Sequence, residues 1–178
     1  APRSTTMLSP TSYGRTFVRV SGPESGPPLV LLPGGGSNLH MWAPNVVALS
    51  ERYRVYAIDR LGDIGRSTYL RPLRSSADVV ENLDELLSAL QLGTDIRVMG
   101  LSYGGWEAAE YALAHPERLA GVVLIAPAAT LFNLPPDFAW RGLLLLLPYR
   151  GFVESMMRWS LPHLGRASDT AGRKQFDS

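Results

Sequence analysis

The chain has 178 residues, 46% hydrophobic and 19% charged, which is enough apolar material for about one domain with a sizeable core. Seventeen basic and sixteen acidic residues give a formal charge of +1 with no basic run, which excludes an electrostatic nucleic-acid footprint. The lack of cysteine excludes a disulfide framework and a thiolate metal site, and no segment approaches the ~20 apolar residues of a membrane-spanning helix.

Residues Ala1 to Pro10 are polar and carry no signal-peptide core, though a mature chain after cleavage would read the same, so the compartment stays open. Thr16 to Val20 predicts a short strand, and Ser21 to Pro28, rich in proline and glycine, a turn. Leu29 to Leu32 is a continuous apolar run ending in Pro33-Gly34-Gly35-Gly36, of the kind found in parallel strands covered on both faces. Val55 to Ile58, Ile96 to Met99 and Val122 to Ile125 have the same character. Helical spacing runs over Met41 to Leu49, Ala77 to Leu90 and Trp106 to Ala114. The second helix carries Val79, Val80, Leu83, Leu86, Leu87 and Leu90 on one stripe, with Ser76 placed to cap it and Gly93 just past its end. Strands alternating with helices predict an α/β fold around a mostly parallel sheet. Beyond residue 130 the pattern changes to a helical cap over 131–165, and residues 166–178 form a polar tail, expected to be flexible and a possible cleavage or truncation point.

The most informative segment is Gly100-Leu101-Ser102-Tyr103-Gly104, a G-x-S-x-G pattern set where a strand runs into a helix. Such a corner forces strained backbone on the serine, and only tiny side chains two residues either side let strand and helix pass closely enough. The hydroxyl is then presented at a helix N-terminus, where free N–H groups stabilise negative charge. No Walker or dinucleotide glycine spacing is present, because Gly34-Gly35-Gly36 lacks the required intervals.

With these pieces in order, residues 29–130 resemble the α/β-hydrolase superfamily, and within it carboxylesterase-like serine hydrolases with a helical cap. The resemblance is carried by the glycine loop, Met41-Trp42, the stretch Asp59 to Ser67, the Ser102 elbow and His115-Pro116-Glu117-Arg118. It implies Ser102 as nucleophile and an oxyanion hole built from the backbone N–H groups of Gly35 and Tyr103. It also implies no cofactor and no metal. A serine at the elbow, in place of aspartate, speaks against the haloalkane dehalogenase and epoxide hydrolase branches.

Two departures from the family pattern stand out. Pro33 occupies the position where a histidine commonly leads the glycine loop. The family's chain order is Ser, then Asp or Glu, then His, and both partners follow the cap, beyond the residues present here. The loop after Val122 to Ile125 reads Ala126-Pro127-Ala128-Ala129-Thr130 and offers no acid. His40, His115 and His163 are expected to be structural or solvated, so none is nominated as the base. Asp59 and Asp63 are expected to serve turns. Arg60, Arg66, Arg150 and Arg158 are expected to be solvated. Gly121 to Ala126 would form a charge-free sheet edge, implying that further strands come from a second polypeptide or that the chain is shortened. Phe138, Trp140, Leu143 to Leu147, Met156, Met157 and Trp159 are expected mainly to pack the cap, and a pocket there would favour a small hydrophobic ester.

The expected function is therefore a serine hydrolase cleaving carboxylic esters through an acyl-Ser102 intermediate, with the triad base and acid supplied from outside this chain. A non-catalytic module binding a ligand or partner is the competing class. A carbon-carbon bond hydrolase, a perhydrolase and an acyltransferase share the same motifs.

Overall fold

The computed structural model describes residues 4–130, 136–144 and 149–160. The chain divides into two compact units, residues 1–131 and 132–178.

The first unit is built on a seven-stranded sheet. Its strands are β1 (Ser4–Thr11), β2 (Gly14–Ser21), β3 (Pro28–Leu32), β4 (Arg54–Ile58), β5 (Thr68–Tyr69), β6 (Ile96–Leu101) and β7 (Leu119–Ile125). They lie in the order β1-β2-β4-β3-β6-β7, with β5 beside β2. The ladders between β3 and β4, β3 and β6, and β6 and β7 are parallel, as the apolar runs predict. β1, β2 and β5 add antiparallel pairings at the other end.

β1 is a strand where only polar sequence was read. Its apolar pair Met7 and Leu8 is adjacent instead of alternating and is largely exposed, so the period of two is missing. Pro10 is tolerated because β1 ends the sheet.

Alternation along β3 divides the core in two. Val30 and Leu32 face a cluster with Val18, Ile58, Leu83, Leu86, Leu87, Val98 and Tyr111, covered by α2 (Ser76–Ala89) and α3 (Tyr103–Ala114). Leu29 and Leu31 face Leu39, Trp42, Val55 and Ala57 on the opposite side. There the predicted helix over Met41 to Leu49 resolves into a 3-10 turn, Leu39–Trp42, followed by α1 (Ala43–Leu49). The turn, not α1, supplies the buried side chains Leu39 and Trp42.

Both ends of α2 correct the sequence reading by one or two residues. Ser75, not Ser76, is the cap: its hydroxyl accepts the Asp78 N–H at 3.2 Å while the Asp78 carboxylate accepts the Ser75 N–H at 3.0 Å. At the other end Gln91, not Gly93, takes the left-handed position, with φ of 60°. The Leu92 N–H donates to Leu87 O and the Gln91 N–H to Ser88 O, both at 2.9 Å, which is a Schellman closure.

β7 forms the opposite end of the sheet, as the edge argument expects. Val123, Leu124 and Ile125 are 47%, 40% and 37% exposed, whereas the apolar residues of β3 are buried.

In the second unit α4 (Pro136–Leu144) and α5 (Arg150–Ser160) are helices. Arg141 Nη1 donates to Ser155 Oγ at 2.5 Å, and Arg150, exposed as expected, pairs with Glu154 at 3.3 Å. His163 and the tail from residue 166 lie outside the described residues, as do Leu145 to Leu147 and the side chains of Leu143, Met157, Arg158 and Trp159. No helix among the described residues is long and apolar enough to cross a membrane.

Candidate active site

Ser102 stands between β6 and α3 with φ of 52° and ψ of −113°, a conformation that a residue with a Cβ rarely adopts. The corner is tight. A Cβ on Gly100 would lie 2.7 Å from Gly105 N, and one on Gly104 would lie 2.6 Å from Pro33 O. Substituted glycines at these places would push β6, α3 and the start of the glycine loop apart. The Ser102 backbone is tied on both sides: its N–H donates to Ile125 O at 2.9 Å, and its carbonyl accepts from Trp106 N and Ala128 N, each at 3.0 Å. The residue itself is half-buried and so retains access to solvent.

The loop after β3 lies against this corner. A Cβ on Gly34 would sit 3.7 Å from Ser102 Cβ, and one on Gly35 would sit 3.7 Å from Tyr103 Cβ. Two of the three glycine amides are taken. Gly34 N–H donates to Met41 Sδ at 3.3 Å, and Gly36, left-handed with φ of 71°, donates to Asp63 Oδ2 at 2.9 Å. Among the described residues nothing accepts the Gly35 N–H, and Gly35 is exposed. Tyr103 is the first residue of α3, so its N–H has no acceptor within the helix. The structure thus brings together Ser102, Gly35 and Tyr103, the three residues nominated from sequence.

Asp59 and Asp63 bind backbone, as expected of them. Asp59, buried, accepts from Leu39 N–H and Arg66 N–H at 2.9 Å each. Asp63 accepts from Ile64 N–H at 2.9 Å as well as from Gly36, and pairs with Arg60. Partial burial works against its charge. The Ile64 and Gly36 N–H groups, with Arg60, overcome that and hold its carboxyl below the usual carboxylate range.

Arg60 overturns its expectation of solvation: its side chain is 12% exposed and its guanidinium lies over the Tyr103 ring, 3.8 Å from the centroid. Arg66 is exposed as expected, 5.0 Å over Phe17. Glu107 escaped the sequence reading altogether. It is 2% exposed on α3, and burial, partly offset by Arg60, pushes its carboxyl from 4.5 up to about 7. Its Oε2 and Arg60 Nη1 are both buried without a hydrogen-bond partner. The helical period contained the signal, because Glu107 falls on the same buried stripe as Gly104, Ala108 and Tyr111.

Neither described histidine serves this corner. His40 is exposed on the 3-10 turn, its backbone held by Asn38. His115 caps the far end of α3, ~18 Å along a twelve-residue helix, where it pairs with Glu117 at 3.5 Å and stacks on Tyr111. After β7, Ala126 to Thr130 contribute backbone and one hydroxyl, which Thr130 gives to Ala128 O.

A family model described as the alpha/beta hydrolase fold matches residues 27–150, and the chain belongs to that family. Carboxylesterase YbfK of Bacillus subtilis (strain 168) is 35% identical over 149 residues, which cover 84% of this chain and 49% of that protein. The crystal structure of naproxen esterase (carboxylesterase NP) from Bacillus subtilis superposes with a TM-score of 0.82 at 32% identity, over 89% of this chain and 54% of that one. The 1-acylglycerol-3-phosphate O-acyltransferase ABHD5 of Mus musculus is 42% identical over 147 residues, 73% of this chain and 40% of that protein. The chain spans about half the length of the carboxylesterases it matches.

Proposed function

We propose that this chain supplies the nucleophile and oxyanion hole of a serine hydrolase that cleaves carboxylic esters through an acyl-Ser102 intermediate. The observation that carries this reading is the left-handed Ser102 at the corner of β6 and α3, facing a glycine loop in which, among the described residues, nothing accepts the Gly35 amide. A serine hydroxyl attacks an ester carbonyl only when a base removes its proton. The tetrahedral oxyanion that results needs donors already in place, each worth about 10²- to 10³-fold in rate. Gly35 and Tyr103 N–H are those donors. The match to carboxylesterases supports the ester as substrate, and the apolar residues of 138–159 support a hydrophobic one.

The base and the acid come from a further segment, of the same chain or of a second one, which pairs along β7 and completes the sheet. The exposed, charge-free edge of β7 and the lack of an imidazole at Ser102 among the described residues support this. The chain by itself is then nearly inert, since loss of the base costs about 10⁶-fold in a serine protease. Likeness to an acyltransferase favours one second reading, in which an alcohol instead of water takes the acyl group from Ser102.

A fluorophosphonate probe tests the proposal on the natural protein that carries these residues. Rapid labelling at Ser102, abolished in Ser102→Ala, is expected. Intact-mass analysis of the same preparation should reveal a polypeptide carrying an additional His and an Asp or Glu. Slow, nonspecific labelling that survives Ser102→Ala would point to a non-catalytic binding module.

A further inference from the structure

The glycine loop and the residues after β4 leave the same edge of the sheet, because β3 and β4 are neighbouring parallel strands. Two side chains of the β4 loop reach across to the candidate oxyanion donors. Asp63 accepts the Gly36 N–H at 2.9 Å and pairs with Arg60, each side chain being close to nine-tenths buried. The Arg60 guanidinium covers the ring of Tyr103 at 3.8 Å, and its Nη2 lies 3.8 Å from where a Cβ of Gly35 would be. One cation therefore covers the Tyr103 ring and lies beside Gly35, the two residues whose amides would hold the oxyanion, and its anionic partner grips the next residue of the glycine loop.

Resting on the hydrolase reading above, we propose that Arg60 and Asp63 act as a positioning pair that sets the spacing between the Gly35 and Tyr103 amides. Neither is a catalytic residue, since neither donates to the oxyanion. The physical reason lies in tolerance. Donors must be held within about 0.5 Å of the productive position, and Gly34-Gly35-Gly36 has no side chain with which to anchor itself. Met41 fixes one end of the loop and Asp63 the other, so that Gly35 is the middle of a span pinned at both sides. On the opposite wall Tyr103 is fixed by the elbow backbone and by the plane of Arg60. A planar guanidinium can lie flat on a ring while bonding a carboxylate at its edge, which an ammonium cannot do. Burial makes the pair more than a surface ion pair, which would contribute almost nothing.

The test uses the natural full-length protein, with p-nitrophenyl butyrate as substrate and Arg60→Met, Arg60→Lys, Asp63→Asn and the Arg60→Met/Asp63→Asn double variant. Arg60→Met is expected to lower kcat about 30- to 100-fold with KM changed less than about threefold, because the lost geometry is felt at the oxyanion and not in substrate binding. Arg60→Lys should not rescue it. The double variant should lose no more than about threefold beyond Arg60→Met, since partners acting as a unit are not additive. Should Arg60→Met fail to fold, Arg60→Lys decides by the same criterion. Exchange of the Gly36 amide, followed by NMR in Asp63→Asn and Arg60→Met, reads the anchor without activity and should quicken about tenfold. Arg60 variants with kcat within threefold of the parent, losses that multiply in the double variant, or unchanged Gly36 exchange would each overturn the pairing. A parent that neither labels nor turns over ester fails the hydrolase reading instead, and the Gly36 exchange still judges the pair.

Discussion

Glu107 places an ionisable carboxyl in the interior and so makes stability depend on pH in a calculable way. It is 2% exposed, and burial, only partly offset by the Arg60 cation, raises its pKa from 4.5 to about 7. At about 1.36 kcal/mol for each tenfold change in protonation, ionising this group in the folded chain costs about 3 kcal/mol. Below pH 4.5 folded and unfolded chains both hold the proton, and no stability is lost. As pH rises from 4.5 toward 7 the unfolded chain releases its proton first, so stability falls, and above pH 7 the whole penalty is present. Glu107→Gln keeps the shape and cannot ionise. It should change stability little near pH 4 and raise it at pH 8 by up to about 3 kcal/mol. Urea unfolding followed by tryptophan fluorescence at both pH values measures this as a shift in midpoint at constant slope. A stabilisation equal at the two pH values, or a loss at pH 8, would refute the reasoning, the second result showing that charged Glu107 is a net partner of Arg60.

Four further substitutions probe Ser102, its corner and the end of α2. Gly104→Ala, whose new methyl would meet Pro33 O at 2.6 Å, should lower the melting temperature by several degrees and abolish probe labelling, while Gly93→Ala, with nothing within 4 Å, should leave both intact. Gln91→Gly, which relieves a left-handed φ of 60°, should stabilise the chain by about 1 kcal/mol in denaturant titration. Ser102→Gly should raise the melting temperature by relieving about 1–3 kcal/mol of backbone strain while losing all acylation, and a lower melting temperature would show that Ser102 is not strained.

The legible parts of the sequence are those with a hydrophobic pattern or a steric requirement. The run of β3 is apolar at consecutive positions because both faces of the strand are covered, the stripe of α2 repeats at 3.6 residues, and both elements form, the helix with its ends shifted by one or two residues. The elbow was legible because the close approach of Gly100, Gly104 and Gly105 leaves no room for side chains. β1 had no period to detect, and its strand state comes from pairing with β2 along all eight residues. Gln91 in place of glycine hid the end of α2, since backbone strain there is borne by the packing of Leu92 into the core. Arg60 is a different kind of omission. Asp63 shares its loop, but Gly35 lies on the loop after β3 and Tyr103 at the start of α3, and only the parallel register of β3, β4 and β6 brings these places to one edge. Glu107 could have been found, because the apolar stripe of α3 passes directly through it.

The strain at Ser102 also bears on what the proposed further strand at β7 would do. The Ser102 N–H is held by Ile125 O, the last residue of that strand, and its carbonyl by Ala128 N, in a loop where Ala126 and Ala129 are themselves left-handed with φ of 42° and 49°. Strained residues persist only where their surroundings over-determine them. Here those surroundings hang from a strand whose Val123, Leu124 and Ile125 are more than a third exposed. Pairing along β7 would remove this apolar surface from water and at the same time stiffen the backbone that holds the nucleophile in place. Completion of the sheet and activation of Ser102 would then be one event: a strand that brought the base would also firm the corner on which the base acts.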